Sequence, residues 1–95
     1  MKGIRVWPNE KGWLDPQAMQ QPGAYGRATA PEIKPGSAIG WWEVCTPDGR
    51  LGCLDPKIHS VVEHDDGTIT VSPSIDMSQR HPGAYHGFLR KGEWT

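Results

Sequence analysis

The sequence predicts a small, mostly β domain in which antiparallel hairpins form a twisted sheet or a partly open barrel. Glycine and proline are abundant, with 12 and 9 residues among 95, and about twice their usual share favours turns over helices. Two Asp-Gly pairs, at residues 48–49 and 66–67, each lie between apolar stretches, which is typical of hairpin turns. A small α+β domain, with a mixed sheet and one short helix, is the alternative.

We expect one domain over residues 1–95, because a chain of this length supports a single small core. Residues 1–38 are predicted to be an irregular Pro/Gly-rich arm with a short strand and a helix, and residues 39–95 to be the β core. Within the arm, residues 22–38 have almost no apolar periodicity and are predicted to form a long loop or an extended arm draped on the body. Aliphatic residues are scarce, so the five tryptophans must supply much of the buried surface.

The N-terminal arm contains two regular elements. Residues 2–7 alternate weakly and predict a strand, placed at a sheet edge because Pro8 cannot donate a ladder hydrogen bond. Asp15 is a suitable N-cap and Pro16 suits the first helical position. Together they predict a helix of about a turn and a half over residues 17–21.

The β core is predicted to contain two hairpins, over residues 39–54 and 58–75, followed by a last strand. In the second hairpin a two-residue loop at Asp66-Gly67 predicts the pairs His64 with Ile69, Val62 with Val71, and His59 with Ser74. Alternation then separates a core face from a polar face. The core face carries Ile58, Val62, His64, Ile69, Val71 and Ile75, and the polar face carries His59, Val61, Glu63, Thr70, Ser72 and Ser74.

The C-terminal strand is predicted over residues 84–90, and a turn at Lys91-Gly92 is expected to fold Trp94 back. A short internal echo precedes this strand, because residues 21–26 resemble residues 81–87. Both begin with a polar residue, Pro, Gly, Ala and Tyr. We interpret the echo as one turn type used twice to enter an aromatic strand, and not as a repeat.

Charge and hydropathy exclude two kinds of partner. The formal net charge is −1, and the ten basic residues are scattered from Lys2 to Lys91, with Arg90 and Lys91 the only adjacent pair. No basic stripe is present to follow a phosphate backbone, so we expect no nucleic-acid partner. No apolar run approaches the ~18 residues of a membrane span, and no signal-peptide core is present. We therefore expect a soluble, cytoplasmic protein without a membrane partner.

Serine and histidine residues form the first candidate site. On the predicted polar face His59 approaches Ser74, with Ser72 one position inwards, and His86 on the last strand joins them if that strand pairs alongside. A serine nucleophile needs a base within hydrogen-bond reach and a group that orients the base. Asp76 and Glu63 are the nearby carboxylates for that role. The alternative is an ordinary solvated sheet face, since no G-x-S-x-G motif is present.

Cysteine and histidine residues form the second candidate site. Cys45 and Cys53 flank a turn, and neither of two plausible registers brings them close enough for a disulfide. We expect free thiols and no cofactor. A zinc ion is the alternative, with ligands from Cys45, Cys53, His81 and His86, although the spacing matches no common zinc motif.

Aromatic residues form the third candidate site. Trp41 and Trp42 are adjacent, so in a strand they point to opposite faces and one is left for a surface role. Tryptophan and tyrosine are enriched at protein interfaces. Trp41, Trp42, Tyr85 and Trp94 are therefore predicted to contribute to a binding surface, and the alternative is that they cover a small core.

Three short motifs carry a resemblance to a known protein family. They are residues 63–75 (EHDDGTITVSPSI), residues 86–89 (HGFL) and residues 92–94 (GEW). With them, residues 41–94 resemble a family of small, uncharacterised bacteriophage proteins. That family shares an acidic-glycine turn, a strand ending in Ser-Pro-Ser-Ile, a His-Gly-aromatic motif and a C-terminal Gly-x-Trp. The resemblance implies a phage-encoded protein that acts inside an infected or lysogenic bacterium.

A wider similarity concerns Ser-Pro-Ser-Ile and the strand after it. This combination is similar to a domain found beside bacterial ubiquitin-like conjugation genes, which is proposed to be a serine peptidase. The resemblance implies Ser72 or Ser74 as nucleophile and His86, with His59 or His64, as base. The chain lacks the Cys-His-x-His stretch of that domain and retains only His86 there.

Three hypotheses for function follow from these observations. The leading one is a small phage-type binding protein that engages a bacterial host protein and inhibits a host or defence complex. A Ser/His hydrolase of the peptidase kind and a small zinc-binding domain are the alternatives.

Overall fold

The computed structural model describes all 95 residues and confirms a mostly β fold. Its main sheet has the strand order β1 to β4. Strand β1 pairs with β2 in parallel, and the other two pairings are antiparallel. The main sheet is therefore mixed, as in the alternative considered from the sequence. The four strands are β1 (Ile4–Val6), β2 (Ala24–Arg27), β3 (Trp42–Cys45) and β4 (Leu51–Leu54).

Six further strands form three antiparallel ribbons of two strands each, and no sheet closes into a barrel. No helix of the chain has the length and hydrophobicity needed to cross a bilayer. The ribbons are β5 (Ser60–Glu63) with β6 (Ile69–Ser72), β7 (Ile75–Asp76) with β8 (His86–Gly87), and β9 (Leu89–Arg90) with β10 (Glu93–Trp94).

The parallel pairing of β1 and β2 requires a crossover connection, and this connection carries the only α-helix, α1 (Pro16–Met19). Asp15 caps the helix as predicted, because its carboxylate accepts a hydrogen bond from the Gln17 N–H at 3.1 Å. The helix buries Met19 against one face of the main sheet. A second short helical turn, a 3₁₀ turn, spans Ala38–Gly40.

Strand β2 is the main departure from the predicted organisation. Residues 22–38 were expected to form a loop, yet β2 lies inside the main sheet between β1 and β3. Its sequence has no β-branched residue, so tertiary pairing and not propensity decides its conformation. Gly26 is needed there, since a Cβ atom would come within 2.6 Å of the Val6 carbonyl oxygen. The division into an outer arm at 1–38 and a core at 39–95 is therefore wrong.

The β5–β6 hairpin has a three-residue loop in place of the predicted two-residue loop. The Gly67 N–H donates to the His64 carbonyl at 2.9 Å, and the His64 N–H donates to the Thr68 carbonyl at 2.8 Å. Gly67 adopts φ +85°, whereas Asp66 is not left-handed. This is a type I turn followed by a left-handed glycine, the common alternative to a primed turn.

The longer loop shifts the register by one residue and exchanges the two faces of β5. The observed pairs are Val61 with Val71 and Glu63 with Ile69. Val61 now packs against the core, whereas the predicted core residue Val62 is 57% exposed. Ile58 is 65% exposed, so its predicted core position is also wrong.

The hydrophobic core lies on both faces of the main sheet. The smaller cluster joins β1, α1 and the main sheet through Val6, Met19, Ala24 and Cys45. The larger cluster joins the opposite face to the ribbons, and it includes Trp42 and Trp94. The Trp94 indole N–H donates to the Gly23 carbonyl at 3.0 Å, which satisfies the one polar group of this buried side chain. The larger cluster consists of Tyr25, Trp42, Val44, Leu54, Ile69, Val71, Ile75, Leu89 and Trp94.

Two predicted turns are confirmed in detail. Lys91 and Gly92 have φ values of +46° and +75° and form the two-residue loop that folds Trp94 back against Leu89. The two segments of the internal echo form the same turn. Gly23 has φ +90° and Gly83 has φ +84°, each after a proline, and each turn closes with an N–H···O bond to the residue three positions earlier.

Substitution of Gly67 by alanine should destabilise the protein more than the same change at Gly49. Both glycines are left-handed, with φ +85° and +86°, so each variant should lose about 1–2 kcal/mol through backbone strain. A Cβ atom at Gly67 would also come within 2.5 Å of the Trp7 ring, whereas Gly49 has open space. We expect an additional loss of about 1–3 kcal/mol for Gly67→Ala. Urea unfolding of both variants measures the difference, and equal losses would contradict a packed Gly67–Trp7 contact.

Candidate functional site

Ser74 lies at the junction of two ribbons, after β6 ends at Ser72 and before β7 begins at Ile75. The Ser72–Pro73 peptide bond is cis. Strand β7 pairs with β8, so that Asp76 faces His86. Because side chains alternate along a strand, Ser74, Asp76 and His86 project from the same face of the β7–β8 ribbon.

A direct contact joins the side chains of Ser74 and His86. The Ser74 Oγ atom and the His86 Nε2 atom are 3.0 Å apart, within hydrogen-bond distance. With Nε2 unprotonated, the serine hydroxyl donates to the imidazole, which is the arrangement of a nucleophile and its base. His86 is exposed and Ser74 is half-buried, so both are accessible to a ligand. The structure therefore contains the predicted contact between Ser74 and His86.

Asp76 supplies a negative charge beside this pair. Its carboxylate accepts hydrogen bonds from the N–H and the hydroxyl of Ser78. These bonds, and to a smaller degree the nearby His86, lower the pKa of Asp76 below its ordinary value. Asp76 is therefore ionised at neutral pH. An ionised carboxylate near an imidazole stabilises the imidazolium that forms when the ring takes a proton.

His59 contacts Ser74 in a different way from the one predicted. Its Nε2 atom lies 3.2 Å from the Ser74 carbonyl oxygen, and a carbonyl only accepts, so Nε2 carries the proton. The His59 Nδ1 atom is buried without a partner. His59 therefore holds the main chain of Ser74 and does not act on its hydroxyl, so its predicted role as the base of Ser74 is wrong.

The other predicted members lie elsewhere. Ser72 is exposed on β6, paired with Ser60. His64 was predicted on the core face, but its Nε2 atom lies 2.7 Å from the Thr70 hydroxyl. The register shift explains both positions, because it changes which residues of the two strands face each other. Glu63 is 2.8 Å from Arg5 and is remote from the pair.

A cleft of about 960 Å³ lies next to Ser74, a size within the range of known ligand sites. Ser74, Asp76 and His59 contribute to its lining, and His86 approaches Ser74 from outside that lining. The remaining lining comes from Trp41 and from parts of three segments, residues 49–55, 58–59 and 73–81. Trp41, Cys53 and His81 were predicted as site residues in other roles, but their meeting in one cleft was not predicted, because they lie far apart in the sequence.

The predicted alternative zinc ligands do not come together. Cys45 is buried, with its thiol 3.6 Å from the Gln20 carbonyl, whereas Cys53 is exposed, and both thiols are free. Burial raises the pKa of both thiols, which disfavours the thiolate that a metal requires. No group of three or more His, Cys, Asp or Glu side chains is placed to hold an ion. His86 is engaged with Ser74.

The predicted aromatic binding surface is wrong for two of its four members. Trp42 and Trp94 are only 9% and 2% exposed and belong to the core. Tyr85 is half-buried, with its ring edge-on to Trp94 and its hydroxyl donating to the Thr95 carbonyl. Trp41 is half-buried and lines the cleft, so it alone remains available to a ligand there.

Comparison of the chain with protein-family models, curated proteins and solved structures finds no match. The resemblances to the bacteriophage family and to the peptidase domain therefore stay predictions. Function has to be argued from the geometry around Ser74.

Replacement of Ser78 by alanine should raise the pKa of Asp76 towards its ordinary value of 3.8. A carboxylate whose pKa is lowered in the folded state stabilises the protein above its ordinary pKa, and the effect is lost as the pH falls through the folded value. Ser78→Ala should therefore be less stable than wild type near neutral pH, with the difference shrinking as the pH falls below 3.8.

Carbon-13 NMR titration of the Asp76 carboxyl and urea unfolding at several pH values measure these two effects. Ser72→Ala is the control, since Ser72 is exposed and has no side-chain hydrogen bond to Asp76. An unchanged Asp76 titration in Ser78→Ala would show that Ser78 does not hold this carboxylate.

Proposed function

We propose that this protein is a small serine hydrolase in which Ser74 is the nucleophile and His86 is its base. The observation that carries the proposal is the 3.0 Å separation of Ser74 Oγ and His86 Nε2 beside an open cleft. A serine hydroxyl is a weak nucleophile at neutral pH, and a hydrogen-bonded imidazole is the usual means of activating it.

The reaction would follow the two-step course of acyl transfer. His86 takes the hydroxyl proton as Ser74 Oγ attacks a carbonyl carbon, and the imidazolium returns that proton to the leaving group. Water, deprotonated by His86, then attacks the acyl-serine and releases the acid. The ionised Asp76 stabilises the imidazolium through its charge. The products are a carboxylic acid and an alcohol or amine, one water molecule is consumed in each cycle, and no oxidant or reductant is needed.

The local architecture supports this proposal. Strand β7 pairs with β8 through Ile75 with Gly87 and through Asp76 with His86. This pairing determines the face of the ribbon from which the side chains of Ser74 and His86 project. The His59 ring fixes the carbonyl of Ser74 at 3.2 Å. A nucleophile held by both its own strand and a neighbouring side chain is preorganised, which is a requirement of efficient catalysis.

A fluorophosphonate probe should label Ser74 in the folded protein, because such probes react with activated serine hydroxyls. His86→Ala should slow labelling by about 10² to 10⁴-fold, the usual contribution of a general base. Ser74→Ala should abolish labelling, and Ser72→Ala should leave it unchanged. Intact-mass and peptide mass spectrometry read out the site and rate. Labelling that is absent in folded wild type, or equally fast in His86→Ala, would refute the hydrolase.

A second function is favoured by the apolar side chains of the cleft. Leu51 is 56% exposed and Ile58 is 65% exposed, and both line the cleft with Trp41. Exposed apolar residues grouped in a concave surface are typical of protein contacts. The protein would then be a binding protein for a bacterial partner, of the phage-encoded kind that the sequence resembles, and would inhibit a host or defence complex.

Affinity capture from bacterial lysate tests this second function. Wild type should retain a specific protein that Trp41→Ala loses, because Trp41 would be a contact residue in the cleft. Trp13→Ala is the matched control, since Trp13 is 36% exposed and lies outside the cleft. A captured set that Trp41→Ala does not change would count against a partner bound at the cleft.

A further inference from the structure

Strand β4 is the outermost strand of the main sheet, and its outer edge has no partner strand. The Thr46 N–H donates to the Arg50 carbonyl at 2.9 Å, which fixes the phase of the β3–β4 ladder. Hydrogen-bonded and non-hydrogen-bonded pairs alternate in an antiparallel ladder. Gly52 therefore bonds to β3, whereas the peptide groups of Leu51 and Cys53 point away from it.

The outward N–H and C=O groups of Leu51 and Cys53 have no hydrogen-bond partner in the main chain. No turn or loop hydrogen bond involves the main chain of Leu51 or Cys53. An unpaired strand edge of this kind is a template for another extended chain, which it binds through main-chain hydrogen bonds. The two residues are two positions apart, and this spacing of roughly 6.6 Å is the repeat with which a second strand presents its own peptide groups.

The free edge lies in the same cleft as Ser74. Leu51, Gly52 and Cys53 line the cleft together with Pro73 and Ser74. A chain lying along β4 would therefore occupy the cleft that Ser74 also lines. The exposed side chain of Leu51 would pack against the residue opposite it on the same face of such a chain.

We infer that the cleft binds an extended polypeptide segment as a fifth strand along β4. The inference names the ligand class of the Ser74 cleft, and it rests on the proposed function for the claim that Ser74 acts on this ligand. The bond attacked would be a peptide bond. Its acyl carbon transfers to Ser74 Oγ, its nitrogen leaves with the proton from His86, and water releases the acid.

A single chain fits this edge better than the sheet of a second copy does. The cleft that contains β4 is also lined by Ile58 and His59 and by members of residues 73–81. The sheet of a second copy would have to avoid all of these segments in order to pair with β4 along its length. One extended segment can enter a cleft of about 960 Å³ without displacing them.

Peptide binding to the Ser74→Ala variant tests the inference without any cleavage. The probe is a capped peptide of about six residues that alternates threonine and valine with one lysine, since these residue types favour extended chains. Two further versions carry N-methyl groups on the odd or on the even amides. Only one edge of the peptide can face β4, so one N-methylated version should lose binding at least about tenfold and the other should retain it.

Amide hydrogen exchange gives a second readout, at the edge itself. The amides of Leu51 and Cys53 should exchange rapidly in the free protein and slow at least about tenfold with saturating peptide. The Gly52 amide is already bonded to β3, so it should change little. Slow exchange of Leu51 and Cys53 in the free protein would overturn the inference, and so would slowing that depends on protein concentration alone, which would identify a second copy as the occupant.

A variant pair isolates the outward N–H of Cys53. Cys53→Pro removes this donor and leaves the β3–β4 bonds in place, whereas Cys53→Val keeps the donor and changes only the side chain. Peptide affinity should fall at least about tenfold in Cys53→Pro and stay near wild type in Cys53→Val. Equal affinity in both variants would overturn the inference. If Cys53→Pro does not fold, the two N-methylated peptides decide the question on the Ser74→Ala protein.

The outcomes separate this inference from the proposed hydrolase. Edge binding without fluorophosphonate labelling of Ser74 would remove the hydrolase and leave a polypeptide-binding cleft. Labelling of Ser74 without edge binding would remove the inference and leave a hydrolase of another substrate class.

Discussion

The position of the β5–β6 ribbon on the main sheet depends on one arginine. Arg5 projects from β1, and its Nη1 atom lies 2.8 Å from Glu63 and 2.7 Å from the Gly67 carbonyl oxygen. The guanidinium stacks over the Trp7 ring at 3.7 Å and lies 4.9 Å from the Trp42 ring. It thus joins the edge strand, the core and the tip of the hairpin in one contact set. The Arg5 side chain is only 12% exposed, so this charge requires all its partners.

The position of Ser74 depends on the contact of Arg5 with the hairpin tip. Strand β6 begins after the hairpin tip that Arg5 holds, and it ends at Ser72, two residues before Ser74. Val71 of β6 packs in the same core cluster as Trp42 and Trp94. The ribbon is therefore fixed at both ends, by a charged contact at its tip and by hydrophobic packing near its exit. Ser74 consequently lies in a defined place beside β4 and its cleft.

The turns could be predicted from a few neighbouring residues, whereas the pairing of strands depends on residues that are far apart in the chain. Asp15 and Pro16 specify the start of α1 through capping. Lys91 and Gly92 specify the turn between β9 and β10 through positive φ. Both effects depend only on neighbouring residues. The place of strand β2 inside the main sheet could not be predicted, because Ala24 and Gly26 have low strand propensity and its partners β1 and β3 are distant in the sequence. The hairpin at Asp66-Gly67 was predicted at the right place with the wrong loop, since the same dipeptide suits both loop types.

At the site, the contact between Ser74 and His86 was predicted from the sequence, whereas the cleft beside it was not. A serine and a histidine on sequential strands suggest a pair, and the pairing of β7 with β8 then decides the distance. The sequence could not predict the cleft, because Leu51, Trp41 and Arg80 come from three separate segments. Trp42 and Trp94 were assigned to a surface because the chain has more aromatic residues than its small core appeared to need. With few aliphatic residues, the core needed both.

The β7–β8 ribbon has a consequence for motion. Each of its strands has only two residues, and a ladder this short contributes little protection against local opening. The serine and histidine are thus carried by the part of the fold that can separate at a lower free energy than global unfolding requires. Opening of this ribbon would part Ser74 from His86 while the main sheet stays intact, so a ligand that bound only the closed ribbon would stabilise the Ser74–His86 contact.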